Sequence, residues 1–309
     1  MTRKVLLDVD PGIADAMALC LALGDPRLDV VAVTATGGNV PPEQSTRNVQ
    51  AIVEQLDPAR IPRIGAADPD QPLRTDGRDL NGPNGLCGAD FRVAELHHRH
   101  PSPKVIADEI RAASGELTII AGGPLSNLAT VFQREPDLAT QVGHLIIVGG
   151  TLSGPGNVTA AAEFNVFCDA EAARTVFRSP VTKTLLPLDV SSEVILDFGV
   201  LDQLTDESTV VGRFLKEILP GAFRAFRQRL GLEGIYVPEA VAVIAALHPE
   251  LLITEPLFCD VETAGDLTYG ASVLDRRHAS AEQPNMDVIF ELDTNAALDG
   301  ILRGLQQAS

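Results

Sequence analysis

The stretch VLLDVDPGIADAMALCLAL, residues 5–23, sets the fold of this chain. Its first five residues are apolar except for Asp8, and apolar residues nearly throughout are expected of a strand covered on both faces. Pro11 and Gly12 then turn the chain, and the apolar run after Asp15 has helical character. Side chains alternate along a strand, so Asp8 and Asp10 point to the same side. They stand at the carboxyl end of the first strand, the edge at which open parallel sheets bind ligands. Asp15 falls in the first turn of the following helix, where the macrodipole favours an acid by about 0.3–1 kcal/mol.

The same alternation continues outward from this corner. Further strands are predicted at 28–35, 117–121, 143–149 and 182–187, and helices at 14–23, 42–56, 104–113, 124–134, 170–177, 212–229, 237–247 and 294–305. Strand, helix, strand at this spacing predicts right-handed crossovers. The expected class is α/β: a doubly wound, mainly parallel central sheet flanked by helices. Segments 256–262, 268–274 and 286–292 add a later, antiparallel strand group. Residues 66–90 are rich in Gly, Pro, Asp and Asn and read as a long functional loop, and 151–168 as a second polar insertion. Neither resembles a linker, so one domain over 1–309 is expected.

Composition removes several function classes. A formal net charge of −18 argues against nucleic acid or an anionic membrane as partner, because both require positive surface. Cys20, Cys87, Cys168 and Cys259 form no C-x-x-C pair, which speaks against zinc-ribbon and thioredoxin-like chemistry. No basic-then-apolar leader and no run of 18 apolar residues is present, so a cytoplasmic location is the expectation. G-x-S-x-G, P-loop and G-x-G-x-x-G motifs are absent. His97, His98 and His100 in ELHHRH read as a solvated helix face.

The acidic corner then needs compensation. Two carboxylates 4 Å apart repel by about 4 kcal/mol at an effective dielectric of 20. No Lys or Arg lies between residues 5 and 26. A hard divalent cation with oxygen ligands would supply the charge, and Ca²⁺ tolerates irregular ligand sets better than Mg²⁺. Other strand ends carry small residues and amides: TATGGNV at 34–40 with Asn39, AGGPLSNLA at 121–129, and Asn157, Glu163 and Asn165 within 149–173. Each alone is an ordinary turn or cap; together at one edge they mark a pocket.

These segments resemble the nucleoside hydrolases, the inosine–uridine-preferring N-ribohydrolases. DVDPGIADAMAL is similar to their D-x-D-P-G-x-D-D-x-x-A-L signature, and TATGGNV, GGPLSNLA, GNVTAAAEFNVFCDAEAA and PLDV follow in the expected order. The resemblance implies a homodimer or homotetramer holding one Ca²⁺ and hydrolysing the N-glycosidic bond of a ribonucleoside. It implies Asp10 as calcium ligand and general base, Asp15 as second ligand, Asp8 as supporting acid, and Ser126 as donor of a backbone carbonyl. Asn39, Asn157, Glu163 and Asn165 would grip the ribose.

Three places depart from that pattern. Ala14 stands for the second acid of the Asp-Asp pair, which in the family hydrogen-bonds the ribose. Asn81 stands where a His is frequent, at the substrate. Pro238 and Glu239 stand for His-Asp, and Glu239 is expected to ligate calcium despite its extra methylene. The expected function is therefore calcium-dependent nucleoside hydrolysis with reduced or altered specificity. A non-catalytic riboside-binding protein of the same fold is the alternative, and phosphoryl transfer by a D-x-D cluster a weaker one.

Overall fold

In the computed structural model, which describes residues 2–94, 99–277 and 282–308, the chain winds around one large sheet. Its strands are β1 (Arg3–Val9), β2 (Leu28–Ala35), β3 (Arg63–Ala66), β4 (His100–Pro101), β5 (Thr118–Ala121), β6 (His144–Val148) and β7 (Lys183–Leu186), with β8 (Ile195–Asp197) and β9 (Gly234–Tyr236) forming a separate pair, and β10 (Leu252–Val261), β11 (Ser272–Asp275) and β12 (Met286–Leu292) completing the large sheet. The order across it is β11-β10-β12-β7-β6-β5-β1-β2-β3-β4. Every pair from β4 through β7 to β12 is parallel, and only β10 pairs antiparallel, with β12 on one side and β11 on the other.

The principal helices are α1 (Ile13–Gly24), α2 (Pro42–Leu56), α3 (Ser102–Ala112), α4 (Ser126–Arg134), α5 (Phe164–Cys168), α6 (Ala170–Arg178), α7 (Val210–Leu230), α8 (Pro238–Leu247) and α9 (Thr294–Gln307). They cover both faces. Val5, Leu7 and Val9 of β1 point into the core shared with α1, α7, α8 and α9. Leu6 points into the opposite core, built with α3, α4 and α6. Asp8 shares the parity of Leu6 and meets Asn127 of α4, and Asp10 follows one residue beyond the end of β1.

This topology places the ligand edge. The chain runs from β1 outward to β4, then returns to lay β5 on the other side of β1. The order reverses at β1, and the loops after β1 and β5 diverge to form the crevice expected at such a switch point. The expected doubly wound, mainly parallel sheet is present, and helix 42–56 and strand 28–35 have their predicted bounds.

Some expectations are corrected. Arg63–Ala66 and His100–Pro101 are strands at the sheet edge, too short and too polar to carry a strand signal. The later group is only partly antiparallel, since β12 joins β7 in parallel. His100 lies in β4 instead of a helix face; His97 and His98 are outside the described residues. Among the described residues no helix is long and apolar enough to cross a membrane.

Candidate active site

The acidic corner exists as the alternation predicts. Asp8, Asp10 and Asp15 are all buried. Asp8 Oδ1 accepts from Thr34 Oγ1 at 2.6 Å and from Asn127 Nδ2 at 2.8 Å. Asp10 Oδ2 accepts from the Asn39 amide N–H at 2.6 Å. Asp15 Oδ2 accepts from the Gly12 N–H at 3.0 Å, closing back on the helix N-cap, and from Asn39 Nδ2 at 3.4 Å. The second oxygen of each acid is buried with no hydrogen-bond partner. Three such orphans within eight residues of chain, two of them on the mutually repelling Asp10 and Asp15, contrast with the rarity of unsatisfied buried groups in folded proteins.

Glu239 reaches the same place from the far end of the chain. It lies in the first turn of α8, after Pro238 at the first helical position, and is buried. Helix α8 packs on α1, so two helix N-termini converge on the corner. Glycines open the space for these acids. A Cβ on Gly38 would stand 2.0 Å from Asp10 Oδ2, one on Gly123 2.8 Å from Asp10 Oδ1, and one on Gly122 2.8 Å from Glu239 Cγ and 3.1 Å from Asp15 Oδ1. The lack of a side chain at Gly122 thus accommodates the longer acid.

The electrostatics are those of crowded like charges in a dry site. Burial first, then the Asp15 carboxylate, holds Asp10 well above the usual carboxylate range, with Glu239 adding to the effect. Glu239 is raised in the same way by burial and by Asp15. Burial pushes Asp8 and Asp15 up to about 7. Among the described residues no group of three or more His, Cys, Asp or Glu side chains forms a ready-made metal cage. The donor set is nonetheless entirely hard oxygen, and its orphaned oxygens fit a cation whose remaining ligands are backbone, water or substrate oxygens.

A pH dependence follows. Asp8 and Asp15 keep their protons to about pH 7 in the folded chain and only to about 3.8 when unfolded. The native state then holds more protons between those values, so stability falls as pH rises. This contribution is complete below pH ~4 and is lost as pH passes ~7. Chelated protein is expected to melt at progressively lower temperature from about pH 5 to about pH 8 by scanning calorimetry, and calcium to flatten that trend. A chelated protein that gains stability over this range contradicts the assignment.

The corner opens into a cavity of about 640 Å³, within the usual range for small-ligand sites. Its walls include Asp15, Asn39, Asn81, Asn157, Glu163, Asn165 and Glu239, so the structure brings these expected residues together. Several are also engaged with the protein. Asn81 Nδ2 donates to Asn39 Oδ1 at 2.9 Å, and its Oδ1 accepts from the Ile13 N–H at 2.9 Å, so the 66–90 loop is tied to the start of α1. Asn157 Oδ1 accepts from the Phe164 N–H at 2.8 Å. Glu163 caps α5 through the Asn165 and Val166 N–H groups. Asn165 Nδ2 donates to the carbonyls of Gly122 at 2.7 Å and Val148 at 3.1 Å.

Asp8 and Asp10 are buried and are not among the residues lining this cavity, and Ser126 lies elsewhere. It begins α4; its carbonyl accepts from Thr130 Oγ1 at 2.8 Å and its hydroxyl donates to Asp169 Oδ2 at 2.5 Å. It lines a different cavity of about 670 Å³, beside Gln71 and Asp169. A first-turn carbonyl points along its helix, away from the crevice. The backbone that stands against Asp15 and Glu239 is that of Gly122. Sequence reasoning also missed Thr34 and Asn127, which hold Asp8, and the apolar wall formed by Leu80, Phe226, Leu230, Ile235 and Tyr236. The Gly-Gly pairs after β2 and β5 were the visible signal for the first group; the wall had none.

The model of the inosine-uridine preferring nucleoside hydrolases matches residues 5–299. This chain belongs to that family. It is similar to the pyrimidine-specific ribonucleoside hydrolase RihA of Salmonella paratyphi C, 30% identical over 99% of both chains, and to RihA of Klebsiella pneumoniae subsp. pneumoniae, 31% identical over 97% of both. Among solved structures it is similar to the plant nucleoside hydrolase PpNRh1, with TM-score 0.92, 26% identity and 99% of each chain covered. The purine-preferring ribonucleoside hydrolase from Gardnerella vaginalis gives TM-score 0.91 at 25% identity over the same share. This nucleoside hydrolase is therefore an N-ribohydrolase whose cavity carries Ala14 in its rim and Glu239 at its floor. Its departures at Ala14, Asn81 and Pro238 all border that one cavity.

Proposed function

We propose that residues 1–309 act as one domain that hydrolyses ribonucleosides with a bound calcium ion and an altered sugar preference, and that Asp10 is the general base. The observation that carries this reading is the pair of orphaned carboxylate oxygens on Asp10 and Asp15, two acids whose charges act on Glu239 or on each other. Asp10, Asp15 and Glu239 would hold the ion, which when bound offers Lewis acidity and lowers the pKa of a water. Asp8, which Thr34 and Asn127 anchor, sets the position of Asp10 from behind. With the water made more acidic, Asp10 needs only to accept one proton from it. The surrounding carboxylates stabilise positive charge building on the sugar ring, and Asn39, Asn157, Glu163 and Asn165 orient it.

Turnover of purine, pyrimidine and 2′-deoxyribonucleosides with calcium and with chelator tests the proposal. Hydrolysis that is unaffected by exhaustive chelation would remove calcium from it. We further place the enzyme in the cytoplasm as a homodimer or homotetramer, with a nucleoside as its partner. The relatives divide between pyrimidine-specific and purine-preferring names, so base preference is a property of the individual chain.

Ala14 supplies a direct prediction. It lines the cavity next to Asp15 with nothing to offer a ribose hydroxyl. Ala14→Asp is expected to raise kcat/KM for ribonucleosides by about 10–100-fold, the effect of one hydrogen bond to a charged group. The gain should be absent for the sugar lacking the contacted hydroxyl. An equal change on ribo- and 2′-deoxyribonucleosides would argue against a lost 2′ contact.

A further inference from the structure

The reading above provides for the water and the sugar but not for the departing base. Cleaving the C1′–N bond moves its electron pair onto the base, and a nucleobase anion is a poor leaving group unless a donor meets that charge. Histidine is the usual side chain for this role. Among the described residues no histidine lines the cavity. His100 sits on the edge strand β4, His144 lines a separate cavity, and His248 is held between Arg27 and Glu250.

Beside the acids and amides, the lining carries Thr75, Arg229 and Tyr236; the Thr75 hydroxyl is aliphatic and a far weaker acid than a phenol. Arg229 is paired to Asp79 at 3.2 Å. Tyr236 ends β9, immediately before the turn into α8 that carries Glu239. Its ring is fixed edge-to-face against Phe226, with centroids 5.0 Å apart, and Leu230 and Ile235 line the same wall. A flat apolar wall of this kind suits a planar base. The tyrosine hydroxyl has no hydrogen-bond partner among the described residues. Burial, Glu239 and Glu163 together hold its proton in place, which puts the hydroxyl in the field of acids from two sides of the cavity.

We propose that Tyr236 is the hydrogen-bond donor to the leaving base, in the role that a histidine fills elsewhere in such chemistry. The C1′–N bond breaks, its electron pair passes to the base, and the Tyr236 O–H meets the charge that develops there. Water bonds to C1′ and gives a proton to Asp10. Tyr236 passes its proton to the base and regains one from solvent as Asp10 releases the water's proton to solvent, so nucleoside and water yield ribose and neutral base with both side chains restored. The inference rests on the hydrolase reading and adds the donor to it.

The test compares Tyr236→Phe with wild type on inosine, uridine and p-nitrophenyl β-D-ribofuranoside, whose phenolate departs without a proton. Loss of a general acid is expected to lower kcat on the nucleosides by about 10²–10⁴-fold, with a loss on the nitrophenyl riboside smaller by at least about tenfold. Tyr236→His, which returns a donor, is expected to recover nucleoside turnover by at least about tenfold over the phenylalanine variant. Equal losses on all three substrates in a variant with the wild-type melting temperature place Tyr236 on the sugar and overturn the inference, as does no loss at all. Wild-type protein that turns over none of them refutes the hydrolase reading instead, and the two failures are distinguishable.

Discussion

Replacing Asp10 by Asn is expected to lower kcat by about 10³-fold or more, at the upper end of what a single general base supplies. The amide keeps the shape of the side chain and can still accept from the Asn39 N–H that now binds Oδ2 at 2.6 Å. What it loses is the oxygen that can accept the water's proton, and one negative charge of the corner. Stability should move the other way. Without calcium, Asp10→Asn removes a buried carboxylate that Asp15 and Glu239 repel, so the chelated variant is expected to melt above chelated wild type. With calcium the order should reverse. Steady-state kinetics and calorimetry with and without chelator check both halves. Retained kcat would take the base assignment away from Asp10, and a lower melting point of the chelated variant would mean that the corner is not under repulsion.

Chelation is expected to be the second large effect. Removing the ion should abolish nucleoside turnover to at least about 10²–10³-fold below the calcium-loaded rate, comparable to deleting a principal electrostatic contact in the transition state. Calcium should restore it, and magnesium should do so poorly, because irregular oxygen ligands do not meet its octahedral demand. At calcium a hundredfold above its dissociation constant the folded state gains about 2.7 kcal/mol. A chain of this size should then melt about 5 °C higher with the ion than without it. Full activity in exhaustively chelated protein would end the calcium proposal, and the orphaned oxygens of Asp8, Asp10 and Asp15 would need another partner.

Much of this was legible in the residues. Alternation alone places Asp8 and Asp10 on one side of β1, and the parallel pattern places them at the ligand edge. Glu239 is a different case. Its approach to Asp15 depends on α8 packing against α1, a tertiary fact that no local pattern reports; only the resemblance pointed to it. Ser126 was expected by analogy to face the acids, and it lines another cavity instead. The motif around it is right, but a shift of four residues separates the helix start from Gly122, whose backbone faces the acids. The apolar wall was invisible because Phe226, Leu230, Ile235 and Tyr236 come from two elements and read as ordinary core residues. Strands β3 and β4 were hidden for another reason, since two to four residues hold too few alternations to register.

The glycines around the acids have a consequence for how such a chain can diverge. Gly38, Gly122 and Gly123 touch carboxylate atoms so closely that any Cβ displaces an acid. Mutational drift at that side of the cavity is therefore nearly frozen, each step costing the ion site before it gains anything. Of the apolar residues facing the same space, Phe226 and Ile235 are buried core, whereas Leu230 is exposed. A side chain can change there by single steps without displacing an acid, so the cavity joins a side that resists substitution to a position that admits it.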